Sequence, residues 1–250
     1  MPKEAAVSQR MLDCAMADPL HVRERRPISS GSPADVHAAE LAKGRNHLDT
    51  MRIHHLDLSK RFLAGELYEP DLLFTAAMAR SYSLVDGFIG AFDSWNPVVA
   101  APLLRLQLDS LVRVAYLTKV PNVADVAWHI IKGGEFRTLK DRDGKTLTDR
   151  RLIEHAQQVH PWIDDVYKAT SGWVHFSPTH LKAAAQVTPD ESSEHIFKYF
   201  GAIPIRPEQI PLSALEELLA AMITATKELF GYVKIWEDTK AAKRVAAAQT

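Results

Sequence analysis

The chain has one cysteine, Cys14, in 250 residues. No intrachain disulfide can form, and no thiolate cluster is present to hold zinc or iron. A membrane-spanning helix needs roughly 18–20 consecutive apolar residues, and no run of that length occurs. Charge of one sign is also lacking. Thirty Lys and Arg against 31 Asp and Glu leave a formal net charge of −1, so no global basic field draws in nucleic acid or anionic lipid. The phosphate loop, the dinucleotide fingerprint, the Gly-x-Ser-x-Gly elbow and His-Glu-x-x-His are all missing. The first residues lack a compact apolar core with a small-residue cleavage site, so no secretory leader is expected. These absences lead us to expect a cytoplasmic protein with no membrane partner, no cofactor and no bound metal. Hydrophobic residues at 46% and charged residues at 24% fit an ordinary globular chain.

What is present is mostly helical punctuation. Residues 1–31 mix charge, Pro, Ser and Gly without a period ("HVRERRPISSGSP") and read as a flexible arm. Pro33 opens a long helix to about residue 64. Pro70 opens a second, to about Trp95. Asn96 followed by Pro97 caps a third, apolar helix to about Lys119, with Pro102 inside it. A short helix over Val123–Lys132 stops at Gly133 and Gly134. Asp143-Gly144 forms a turn, Thr148 caps a further helix, and Pro161 opens the one that carries "YKATSGWVHFS". A small β-hairpin is expected near 183–205. From Ser213 an apolar stripe of Leu215, Leu218, Leu219, Met222, Leu229, Val233 and Trp236 marks a long amphipathic helix to about Asp238. The expected fold is mainly all-α. It comprises a bundle of six to seven helices in one domain over 32–239, with 240–250 as a frayed basic tail.

Two helices hold the candidate chemistry. At 100° per residue, Asp164, Lys168, Ser171 and His175 lie within about 60° of one another. The functional reading makes His175 an acid or base and Lys168 an anion holder. The simpler reading is a solvated Asp164–Lys168 pair and a structural histidine. In "PLLRLQLDSLVRVAYL", Arg105, Asp109 and Arg113 recur every four residues on a helix otherwise fit for burial. Either they form a ladder along one edge, or Arg105 and Asp109 meet His175 across a helix–helix interface. His47, His54, His55 and Asp57 on the first long helix are too loosely spaced for a metal site.

Leu103-Leu104-Arg105-x-x-x-Asp109-x-x-x-Arg113, then Tyr167-Lys168-x-x-Ser171-x-x-x-His175, resembles a family of uncharacterised bacterial helical proteins distantly related to the HEPN superfamily. The likeness spans roughly residues 70–180. It implies a helical bundle that dimerises and, in many members, cleaves RNA without metal using an Arg and a His four to six residues apart. Six residues separate Lys168 from His175, but lysine stands where arginine is the rule, and Ala169 where a polar residue is common. On this resemblance His175 and Lys168 would be catalytic, with Arg105, Asp109, Arg113, Ser171 and Tyr167 in support. The context would be a toxin or phage-defence protein acting on RNA as a homodimer. The alternative is a non-catalytic module that binds a protein partner or ligand and uses a buried Arg-Asp-His network.

Overall fold

Capping residues mark the helix starts in the computed structural model, which describes residues 33–175, 177–189, 197–201 and 210–247. The chain divides into two units, Met1–Val36 and His37–Thr250. The arm expected over 1–31 lies outside the described residues.

Helix α1 (Pro33–Phe62) is followed by α2 (Glu69–Asp93), where the Asp71 carboxylate accepts from the Tyr68 backbone N–H at 2.7 Å. Helix α2 ends on Trp95 in the left-handed region, φ 54°. Trp95 N–H donates to Phe92 O and Asn96 N–H to Ala91 O, which satisfies the last carbonyls. Asn96 then caps α3 (Pro97–Leu117) by accepting from Val99 N–H. Pro102 sits in the second turn of α3 without ending it. Helix α4 (Val123–Ile131) is capped by Asn122, and Gly133 leaves it at φ 86°. Helix α5 (Asp149–Gln157) is capped by Thr148. Then come α6 (Ile163–Val174), α7 (Pro178–Ala184), strands β1 (Ala185–Pro189) and β2 (Phe197–Gly201), and α8 (Leu212–Ala247). The strands pair antiparallel with Val187 opposite Tyr199, so the expected hairpin is present.

Helix α3 is the hub of the fold, packed against α2, α5, α6 and α8. Its Leu104, Leu108, Leu111 and Val112 are sealed, as are Leu219, Met222, Leu229 and Val233 of α8 and Leu48, Met51, Leu58 and Phe62 of α1. These residues recur at steps of three, four and seven, and burying such a stripe is what holds helices of this length in place.

Two expectations change. The described residues form eight helices where six or seven were expected, because Pro178 starts a short helix just ahead of β1. The basic tail does not fray at 240. Helix α8 runs on to Ala247 because Lys240 is buried, its ammonium donating to Asp71 at 2.7 Å and to Phe62 O at 3.0 Å. Arg244 adds bonds to the Ala64 and Glu66 carbonyls.

Candidate functional site

The candidate residues on α3 and α6 do come together, but without the histidine. Arg105 reaches across from α3 and donates to the Tyr167 carbonyl at 2.8 Å. Its guanidinium lies over the Tyr167 ring, which supplies a cation–π contact. Burial pushes the Arg105 guanidinium down and the Tyr167 phenol up from their ordinary values. Asp109 is shared between Arg80, at 2.8 Å, and Arg113 one turn on. Arg113 also donates to Asp149 at 2.8 Å. Asp109 and Arg113 thus form part of the edge ladder of the simpler reading, extended sideways to Arg80 of α2 and Asp149 of α5, while Arg105 leaves it for α6.

On α6 the i,i+4 pair of that reading also forms, with Lys168 2.6 Å from Asp164, but Asp164 is buried where a solvated pair was expected. Asp164 accepts from Arg150 as well, at 3.0 Å. The hydrogen bond from Lys168, with both cations nearby, holds this carboxyl below its usual range. Ser171 is half-buried on the same helix.

His175 is the C-cap of α6, with extended dihedrals of φ −111° and ψ 146°, and its side chain is exposed. Among the described residues it makes no hydrogen bond to Arg105 or Asp109. The expected Arg-Asp-His meeting is therefore corrected. The 100° extrapolation holds only while the backbone is helical, and it ends at Val174. Gly172 and Ser177 serve the close approach of α6 and α7. A Cβ on Gly172 would come 2.6 Å from Thr179 Oγ1. Ser177 Oγ donates to Gly172 O at 2.6 Å and accepts from Thr179 N–H at 3.2 Å, joining the end of α6 to the start of α7.

The most deeply buried histidine among the described residues is His55, with His160 also buried. Its Nδ1 lies 2.9 Å from Met51 O and its Nε2 2.8 Å from Ser81 Oγ. Gln107 Nε2 donates to Ser81 Oγ at 2.7 Å and to Thr226 Oγ1 at 3.2 Å. A carbonyl at Nδ1 requires the proton there, so Nε2 accepts the Ser81 hydroxyl, and the Ser81 oxygen in turn accepts from Gln107. Helices α1, α2, α3 and α8 each contribute one polar side chain to this chain of bonds. Burial pulls the His55 pKa down from 6.5 to about 4. His47 and His54 are exposed.

Sequence reasoning also missed Asp141. Its carboxylate accepts from the Asp143 and Lys145 backbone N–H groups and from Arg151 at 2.6 Å, with His155 at 3.4 Å. Burial opposes ionisation here, but the Arg151 bond and its neighbours hold the pKa at about 2. The Asp-x-Asp-Gly turn was the available signal.

The other face of α6 borders a cleft of about 440 Å³ between α3, α6, α7 and α8. Ala101, Ala169, Ala183, Ala214 and Ala221 line it together with Leu104, Val166, Trp173 and Leu218, and among the described residues Glu217 is its one charged lining residue. Four elements meet here through alanines, and side chains this small leave the space between them open. Lys168 and Ala169 are neighbours on α6, their side chains about 100° apart around the helix. One belongs to the polar ladder and the other to the cleft.

Compared with family models, curated proteins and solved structures, the chain matches none. The HEPN likeness rests on its two motifs alone. No helix among the described residues is long and apolar enough to cross a membrane.

Proposed function

We propose that this chain is a non-catalytic helical module that binds a small apolar molecule in the alanine-lined cleft. The observation that carries this reading is the cleft itself. Ligand pockets typically enclose about 300–1,000 Å³, with apolar walls and few polar groups, and this one has about 440 Å³ with a single carboxylate. Glu217 favours a ligand with a cationic end. The test is titration with a dansyl probe carrying a primary amine, read by energy transfer from tryptophan, since Trp173 lines the cleft. Saturable binding that is lost in Ala169→Leu, which fills the cleft, is the expected result. Binding that does not saturate, or that ignores the substitution, ends the proposal.

A second reading is metal-independent, HEPN-like RNA cleavage by His175 and Lys168. It is favoured by the exposure of both side chains on α6 and its cap, where a polyanion has access. Its expected result is cleavage of single-stranded RNA by the intact chain, abolished in His175→Ala. RNA left intact by the wild-type chain ends this second reading. A homodimer belongs to either reading.

A further inference from the structure

The outer face of α1 carries an apolar stripe that no other described residue covers. Ile53, Leu56 and Leu63 are 53%, 50% and 39% exposed. Ile53, Leu56 and Lys60 fall within about 60° of one another on α1, and Leu63 follows just past its last residue, its N–H still donating to Ser59 O at 3.0 Å. Packing does not leave every long helix in this state. Six of the seven apolar residues that mark the stripe of α8 are buried, and its exposed large apolar side chains among the described residues, Ile235 and Val245, stand ten residues apart.

We infer that this stripe is the contact between two copies of the chain, with the two α1 helices antiparallel across a two-fold axis level with Leu58. The inference rests on the homodimer reading above and names its interface. The four positions are symmetric about residue 58. About that axis Ile53 of one copy falls opposite Leu63 of the other, and Leu56 falls opposite Lys60. A two-fold contact uses the same surface on both partners, so each of these pairs is made twice.

Charge follows the same register. Asp57 and Lys60 are exposed and only 3.9 Å apart within one chain, a loose pair. Across the axis, Asp57 of one copy comes within one residue of the level of Lys60 of the other. The aliphatic stem of Lys60 then covers Leu56 while its ammonium reaches the second copy's carboxylate. A parallel arrangement would instead set Lys60 against Lys60. The stripe is smaller than the roughly 800 Å² per partner of a standard interface, so dimer and monomer exchange at micromolar concentration.

Sedimentation velocity of the full chain across the micromolar range tests this. The mass should rise from 27.9 kDa toward twice that value. Leu56→Asp should hold the chain at monomer mass with an unchanged circular dichroism melt. Asp57→Lys should weaken association at least tenfold, and Asp57→Lys with Lys60→Asp should restore it. In a Cys14→Ser chain, Ile53→Cys with Leu63→Cys should oxidise to a covalent dimer. Ten helical residues set the two positions about 15 Å apart, too far for an internal bridge. A monomer throughout overturns both the interface and the homodimer. A dimer indifferent to Leu56→Asp overturns the interface alone, and a dimer that fails to cross-link overturns the antiparallel register.

Discussion

The Lys240 ammonium meets the Asp71 carboxylate at 2.7 Å with both side chains almost sealed from water, at 3% and 1% exposure. Asp71 also accepts from Trp236 Nε1 at 2.7 Å and from the Tyr68 N–H. The pair ties the last turns of α8 to the start of α2 and, through the Phe62 carbonyl, to the end of α1. Removing one member of a buried pair leaves an uncompensated charge, which costs about 3–5 kcal/mol. Lys240→Ala should therefore lower unfolding stability by that amount in a urea titration. A loss within about 0.5 kcal/mol, the range of an ordinary surface substitution, would place Lys240 at the surface.

Acid should weaken the fold through His55 before it reaches the carboxylates. The folded pKa, about 4, lies below the ordinary 6.5, so the unfolded chain binds the extra proton first. Stability is then fully present above pH 6.5 and falls as pH drops toward 4, by about 3 kcal/mol from this group. In His55→Gln the loss between pH 6.5 and 4 should shrink, as read by chemical denaturation at fixed pH. Asp141, held at about 2, adds its own loss only below its ordinary 3.8.

Arg105 and His175 should separate cleanly in stability. Arg105→Lys loses both the planar contact with Tyr167 and a well-directed bond, and should cost about 1–2 kcal/mol. His175→Ala, at an exposed cap, should stay within about 0.5 kcal/mol. Thermal melts of the two variants check this. A large loss in His175→Ala would show a buried partner for the imidazole.

Much of the architecture was legible before any coordinates. The Asn96 and Thr148 caps, the Gly133 stop, the Asp143-Gly144 turn and the apolar stripe of α8 are local signals. Each depends on backbone groups within a few residues, so spacing alone identifies it. The hairpin's turn-rich middle and strand-like flanks are of the same kind. The Asp164–Lys168 pair and the Arg113–Asp109 contact were also readable, because i,i+4 neighbours on a helix lie within reach of each other.

Tertiary packing decided the rest. Which histidine is buried could not be read from spacing. His54 and His55 are adjacent on one helix, and only the approach of Ser81 and Gln107 from α2 and α3 assigns the core to His55. Lys240 looks like a solvated tail residue until Asp71, 169 positions earlier, is brought against it. The meeting of His175 with Arg105 failed because a helix face can be extrapolated only as far as the helix lasts. The cleft arises because alanines scattered from Ala101 to Ala221 come to face one another across four elements. Sequence spacing determines neighbours along one helix. Neighbours across helices are decided by which faces the core draws together.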